Sequence, residues 1–391
     1  MRLAIKLAIR NLIGAGLRTW LNVIVLSFSF VVIIWIKGVM AGWDHQAKKD
    51  MSDFEIGSGQ YWHSGYDPYD PFSLLDNHAP VPEGFRAGVA EGSIEPELIV
   101  QGTLYPGGRL QSVIIRGIDP DQKILKIPTG KLDAATDAIP AVIGSIMAKN
   151  LKASAGDRIM LRWRDAHGTF DATDIVIEGI FSSNVPSAEA GQIYIPLERL
   201  RKMMSMPGEA TLFTFSSSFS PETAPEGWVL RTRKELTSSI DEMIKMKSTG
   251  QSILYGVLLL LAMLAIFDTQ VLSIFRRQKE IGTYIALGYT RHQVVGLFTV
   301  EGTMYAVLAA ILSAAYGLPF LTWQARAGWS IPIDTSEFGI AMAKTLYPVY
   351  SAGLVVTTVL AVMIVTAVVS YWPSRRIAKM SPTDALRGKL Q

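Results

Sequence analysis

The chain contains no cysteine. That excludes disulfides, thiolate metal sites and lipid attachment through a thiol. Charge is scarce too: 18% of residues are Asp, Glu, Lys or Arg, where soluble domains carry roughly 25%. The net charge of +3 is too small to suggest nucleic-acid binding. Common catalytic signatures are missing. No G-x-x-x-x-G-K-[ST], G-x-S-x-G or HExxH occurs, so the chain has no phosphate-binding loop with which to draw energy from ATP. It reads as a non-enzyme, and anything it drives uphill is powered by a partner.

Long apolar runs are abundant by contrast. They cover 21–40, 253–275, 294–322 and 347–372. Each is long enough to cross the ~30 Å hydrocarbon core as a helix. The interval 41–252 holds no such run. It alternates short β-like stretches with short helical ones, which indicates an α+β domain. The expected fold is therefore a membrane α-helical protein of four transmembrane helices, with a large α+β extracytoplasmic domain inserted between helices 1 and 2.

Lys and Arg place the ends. Arg2, Lys6, Arg10 and Arg18 precede the first run, Arg276, Arg277, Lys279 and Arg291 lie between the second and third, and Arg375, Arg376, Lys379, Arg387 and Lys389 follow the fourth. By the positive-inside rule both termini and the middle connector are cytoplasmic, and the large domain lies outside. The expected segments are an amphipathic cytoplasmic-face helix over 1–19, spans over 20–42, 251–275, 294–322 and 347–372, and the outside domain over 43–250. A cytoplasmic connector covers 276–293, an outside loop 323–346 and a cytoplasmic tail 373–391. The first apolar run is longer than a signal-peptide core and reads as a retained anchor.

Two acids fall inside spans, Asp268 and Glu301, each ~10 Å from the cytoplasmic end. A charge in hydrocarbon costs at least ~2.5–3.5 kcal/mol, so both are expected to face protein. They form an inter-helix polar clamp or a proton-sensitive site, or they simply hydrogen-bond to neighbours. Lys37 is expected to snorkel to the outer interface. In the domain, Tyr61, Trp62, Tyr66, Tyr69 and Phe72 crowd a turn-rich stretch. They are candidate contacts for an apolar substrate, or ordinary packing. His63 and His78 flank Asp67, Asp70 and Asp76, but such residues coincide by chance in polar loops and no metal site is assigned.

The densest local signal is FRRQKEIGTYIALGYTRHQVVGLFTVEG over 275–302. Within it 280–287 reads as a short helix with Ile281, Ile285 and Ala286 apolar and Gly288 as its C-cap. So short a helix is marginal alone and needs something to dock against.

Glu280, Ile281, Gly282, Ala286, Leu287 and Gly288, with Glu301-Gly302, resemble the E-I-G-x-x-x-A-L-G signature and following E-G of the FtsX/MacB/LolC-type ABC transporter permease family, the mechanotransmission or type VII group. VIIRGIDPD, AVIGSIMAKNLKASAGDRIML and GQIYIPLERLRKMM resemble its MacB-like periplasmic core domain, and PSRRIAKMSPTDALRG its C-terminal ending. The resemblance implies a coupling helix seated in a cytoplasmic ATPase, carried here by Arg276, Arg277, Glu280, Ile281, Gly282, Ile285, Ala286, Leu287 and Gly288. It implies ATP and Mg bound by that partner and no cofactor in this chain. A second copy or a paralogous permease, and the bacterial inner membrane as location, follow likewise. Nearest are the lipoprotein-releasing permeases, so a lipid-anchored substrate is expected. The alternatives are export of a small amphiphile, macrolide or peptide, and FtsX-like activation of a periplasmic cell-wall hydrolase without transport.

Overall fold

The computed structural model describes residues 17–70, 74–134, 137–221, 223–330 and 345–379. Most of the expected helix over 1–19, Phe72 and the tail from 380 lie outside the described residues. The described chain divides into two compact units. One takes in the described residues of Met1–Gly42, Ile244–Trp329 and Thr345–Gln391, the other those of Trp43–Met243 and Ser330–Lys344.

The first unit is helical. Its apolar helices are α1 (Leu17–Met51), α7 (Ser238–Arg276), α9 (Arg291–Ala327) and α10 (Ala352–Ser374), and the short α8 (Gln278–Ala286) joins α7 to α9. These four are long and apolar enough to cross a membrane. The ends follow local chemistry. The Thr290 hydroxyl and the Gln293 side chain form a capping box that starts α9, and Ser351 Oγ accepts from Leu354 N to start α10.

Small residues set the helix contacts, because lipid gives helices no hydrophobic reason to associate and close backbone approach supplies the packing. The buried face of α9 carries Gly302, Ala306, Ala309, Ser313 and Gly317. That of α10 carries Thr358, Val362, Thr366, Ser370 and Ser374. A Cβ on Gly302 would sit 2.3 Å from Ser370 Oγ, and one on Gly317 2.7 Å from Val31 of α1. Gly38 and Gly42 of α1 likewise receive the Tyr350 ring and the Tyr347 carbonyl. Polar side chains bridge the helices: Asn22 Nδ2 donates to the Ala265 carbonyl at 3.3 Å and to Thr269 Oγ1. Lys37 is half-buried and donates to Thr358 Oγ1 on α10 at 3.3 Å. It thus reaches a hydroxyl on a neighbouring helix, which satisfies one of its donors.

The second unit holds the β-structure. In sequence it lies between α1 and α7, so the expected fold class holds: four apolar helices, with a β-rich domain inserted between the first and second. Its main strands are β1 (Gly59–His63), β3 (Ile94–Leu104), β4 (Gln111–Ile118), β5 (Ile139–Gly144), β6 (Arg158–Arg164), β7 (Phe170–Phe181), β8 (Gln192–Pro196), β10 (Leu212–Phe215) and β11 (Trp228–Thr232). The two-residue β2 (Ala79–Pro80) and β9 (Glu209–Ala210) pair separately. The sheet order is β11-β1-β10-β3-β4-β8-β5-β7-β6, and β6 also pairs with β3. Six strands therefore close into a barrel, while β10, β1 and β11 extend from β3 as a wing.

Alternation explains the barrel core. In β6 Ile159, Leu161 and Trp163 are buried while their neighbours are exposed, as expected when successive side chains point to opposite faces. They join Leu98, Val100, Ile115, Ile143, Ile177 and Ile193 in one interior cluster. Among short helices, α2 (Glu83–Ala90) backs the wing through Phe85. The barrel is flanked by α3 (Ser145–Leu151), α4 (Pro186–Ala190) and α5 (Leu197–Met204). After β11, α6 (Arg233–Leu236) leads on to α7.

The ends of α1 and α7 that belong to this unit are tied to it and to each other. Lys48 of α1 pairs with Asp241 of α7. Asn184 Nδ2 donates to Asp50 at 2.7 Å, Lys126 pairs with Asp53 at 2.8 Å, and Ser187 Oγ donates to Glu55 at 2.6 Å. Asp53 and Glu55 lie on the π-helical turn Ser52–Ile56 that ends α1.

Candidate functional site

The connector between α7 and α9 is a folded object. At Arg277 the backbone leaves helical geometry (φ −106°, ψ 19°), and α8 begins at the next residue. Its C-terminus is a Schellman motif: Tyr289 N donates to the Tyr284 carbonyl and Gly288 N to that of Ile285, both at 3.1 Å. Gly288 sits at φ +94°, left-handed backbone that glycine adopts without a Cβ clash. The Tyr284 and Tyr289 rings pack edge to face with centroids 5.8 Å apart, the side-chain contact that accompanies such a cap.

Arg277 fastens α8 to α9. Its Nε and Nη2 meet the two oxygens of Glu280 at 2.6 and 2.7 Å, and Nη1 reaches both oxygens of Glu301 at 2.8 Å. The guanidinium lies 4.8 Å over the Phe298 ring, and Tyr284 donates its hydroxyl to Glu280 at 2.9 Å. The planar fork of Arg suits such paired contacts, which Lys does not reproduce. The hydrogen bonds from Arg277 hold the Glu280 carboxyl below the usual glutamate range, against a smaller opposing effect of burial. Beneath the clamp Ile274, Ile281, Val294, Val295, Phe298 and Ile377 form a buried cluster drawn from all the elements that meet at this end.

This geometry sorts the candidate coupling residues into two faces. Ile281 is 0% exposed and Gly282 is buried, so both hold α8 against the bundle. Tyr284 and Ile285 lie half-buried on the same cluster. Ala286, Gly288 and Arg276 are exposed, and Leu287 is 72% exposed beside Tyr289. The two acids expected inside spans also separate. Glu301 is clamped, whereas Asp268 is exposed on α7 with no hydrogen-bond or ion-pair partner among the described residues. The Arg277–Glu301 pair spans 24 positions, so no local spacing announces it. Phe298 and Val294 had a visible signal, in their helical spacing from Glu301.

A second locus lies in the β-rich unit. Pairing places Trp62 opposite Leu212, Gln60 opposite Thr214, Ile99 opposite Arg116, and Ile114 opposite Gln192. These side chains therefore share one sheet face, which lines a cavity of about 730 Å³ together with Tyr66 and Tyr69. A continuous polar chain links four of the lining residues, Trp62, Gln60, Arg116 and Gln192, through the buried Thr214 and Glu97. Trp62 donates to Gln60, Gln60 to Thr214 Oγ1, Thr214 to Glu97, and Arg116 to both Glu97 and Gln192. Burial pushes the Tyr66 hydroxyl up to about 12. Of the candidate substrate contacts, Trp62, Tyr66 and Tyr69 meet here. Tyr61 does not: alternation along β1 sends it into the core against Phe85 and Phe215. His78 bonds to Glu209 and to the Leu75 carbonyl. Among the described residues no group of three or more His, Asp or Glu could hold a metal ion.

Comparison with known proteins bears on the helical unit most directly. Residues 252–382 match the FtsX-like permease C-terminal family. The chain is 23% identical to the lipoprotein-releasing system transmembrane protein LolC of Xylella fastidiosa (strain 9a5c), over 77% of this chain and 78% of that one. It is 25% identical to the macrolide export ATP-binding/permease protein MacB of Haemophilus ducreyi, over 68% of this chain and 33% of MacB. A solved structure, the extracellular domain of the noncanonic ABC-type transporter YknZ from Gram-positive bacteria, aligns with a TM-score of 0.25 at 15% identity, covering 41% of this chain and 83% of that one. Four apolar helices, the folded connector and these sequence matches are features the chain shares with membrane permeases. The chain is similar to ABC-transporter permeases of the FtsX-like kind.

Proposed function

We propose that this chain is the permease subunit of an ATP-driven envelope system in which a separate cytoplasmic ATPase grips the α8 turn. The observation that carries the reading is the two-sided connector: one side clamped to α9 through Arg277 and Glu301, the other presenting Leu287 and Tyr289 outward. An apolar knob on a fixed turn suits a cleft in a partner. In this reading both termini are cytoplasmic and the β-rich unit stands on the outer side of the inner membrane. Two helices, α1 and α7, carry the chain from one unit into the other, and their far ends are fastened in the β-rich unit by Lys48, Asp50, Asp53 and Glu55. Closure of the ATPase then works on that unit through the helices, by mechanotransmission.

The cargo we infer is a lipid-anchored protein, released from the outer face of the inner membrane. The similarity to LolC supports it. So does the physics: at ~0.8 kcal/mol per buried CH₂, two or more acyl chains anchor a protein almost permanently, and release needs an energy-coupled machine. The aromatic cavity at Trp62, Tyr66 and Tyr69 favours a second reading, export of a small amphiphile. Purification with the ATPase, followed by mass spectrometry of bound material, separates the two. Acylated protein supports release and a small amphiphile supports export. A cell-wall hydrolase or its adaptor, with no cargo, would overturn both.

A further inference from the structure

Every residue lining the cavity of about 730 Å³ belongs to the β-rich unit, and its size is that of a small-molecule site, ~300–1,000 Å³. Part of the wall is aromatic. Trp62 and Tyr66 meet edge to face with ring centroids 5.1 Å apart, and Tyr69 is 87% exposed. Beside the rings stand polar groups with hydrogen-bonding capacity to spare. Glu55 accepts from Ser187 Oγ, Asp67 from Tyr69 N and Glu235 from Thr232 N. A carboxylate has room for about four such bonds, and no cation pairs with any of these three among the described residues. Arg231 supplies donors. Its guanidinium lies 5.4 Å from the centre of the Trp62 ring and has no hydrogen-bond acceptor among the described residues. The hydroxyls of Ser238 and Ser239, at the start of α7, can both donate and accept.

These walls disfavour three kinds of occupant. A wholly apolar molecule would leave the carboxylates and the guanidinium with neither water nor a partner. An anion meets three carboxylates. A cation finds the Trp62 ring already engaged by the chain's own Arg231. What fits is a neutral ring bearing hydroxyls. Each hydroxyl can donate to a carboxylate or accept from Arg231, while the C–H faces of the ring lie in dispersion contact with the aromatic side chains. We propose that the cavity binds a saccharide, brought in as the head of a glycolipid or as a free oligosaccharide. Glu55, on the turn that ends α1, and Ser238, at the start of α7, line the same cavity, so a sugar held there bears on both helix ends. The proposal rests on the reading of this cavity as a substrate site and narrows its small amphiphile to a glycolipid. Binding itself does not require that the sugar be exported.

The test uses the full-length chain in phosphatidylcholine nanodiscs, which hold no sugar. Maltotriose, cellotriose and chitotriose are titrated by calorimetry, with hexyl maltoside as a short glycolipid and hexyltrimethylammonium as an amphiphile without sugar. The expected result is binding of at least one of the sugar probes to the wild type. Tyr69→Ala, which alters an exposed side chain, should weaken that binding about tenfold and leave the melting temperature unchanged. Tighter binding of hexyl maltoside than of maltotriose identifies a glycolipid head, and equal or weaker binding a free oligosaccharide. No binding of any sugar probe, or sugar binding that survives Tyr69→Ala intact, overturns the proposal. Binding of hexyltrimethylammonium that Tyr69→Ala removes overturns it in favour of a cationic amphiphile. Sugar binding with no glycolipid in the material that purifies with permease and ATPase upholds the site and overturns only the export reading.

Discussion

Arg277 and Glu301 meet through two hydrogen bonds of 2.8 Å, although one belongs to the bend before α8 and the other to the interior of α9. The same guanidinium grips Glu280 on α8 itself. One side chain thus ties the short helix, the bend and α9 together, and the junction with α7 is the point where helical geometry is lost. A push on α8 is accordingly passed to α9 as well as along the chain into α7.

Arg277→Ala leaves Glu301, only 8% exposed, without its ion partner. Removing one member of a buried pair costs about 3 kcal/mol or more, so thermal unfolding in detergent should fall clearly. Arg277→Lys should lose less, because it keeps the charge and gives up the fork. In a double-mutant cycle Glu301→Gln should cost ~0.5–3 kcal/mol less in the Arg277→Ala background than alone. Additive costs would show that the two residues do not act together.

The two faces of α8 should respond differently. Leu287→Asp changes a 72% exposed side chain and should leave the melting temperature within a degree or two, as surface substitutions usually do. Capture of the ATPase should fall. Ile281→Asp buries a charge in the cluster and should unfold the connector. Binding and melting measured on the same preparations test the split, and loss of stability in both variants would refute it.

Gly302 of α9 lies directly against Ser370 of α10. Gly302→Ala places a methyl 2.3 Å from Ser370 Oγ, an overlap that costs ~1–3 kcal/mol. The Ser370 hydroxyl has no hydrogen-bond partner among the described residues, so Ser370→Gly sacrifices no bond. In combination it should recover part of the loss. Melting of the single and double variants provides the check.

Glu95 of β3 is buried, and that burial pushes its carboxyl up to about 9 against the opposing hydrogen bond from Asp119 N. Between the ordinary glutamate range and about 9 the folded protein holds a proton that the unfolded chain gives up. Stability therefore drops as pH rises through that window. Glu95→Gln, which needs no proton to stay neutral, should match the wild type near pH 5 and melt higher than it near pH 8. A constant difference across that range would contradict the assignment.

The apolar runs showed the helices because each exceeds what a soluble core helix needs, and the α8 signature with its terminal glycine showed the connector. The barrel was legible only as alternating strands. Its closure depends on β3 pairing with both β4 and β6, and nothing in either strand's composition states a partner. The same limit applied to the clamp. Glu301 announced a need for a partner through the cost of burying a charge, but the identity of Arg277 required the bend. Tyr61 and Trp62 were indistinguishable as aromatic neighbours until the register of β1 sent them to opposite faces. Asp268 was the converse case: expected to face protein, it is exposed on α7 with no partner among the described residues.

The central claim is that force enters at α8 and leaves with the cargo, with the Arg277–Glu301 clamp between. The direct measurement follows ATP hydrolysis and cargo release together in one reconstituted sample of permease and ATPase, for wild type and for Glu301→Gln. The account predicts that Glu301→Gln still binds the ATPase and supports hydrolysis while release falls several-fold. Release and hydrolysis falling in the same proportion, or both staying at wild-type level, would contradict it.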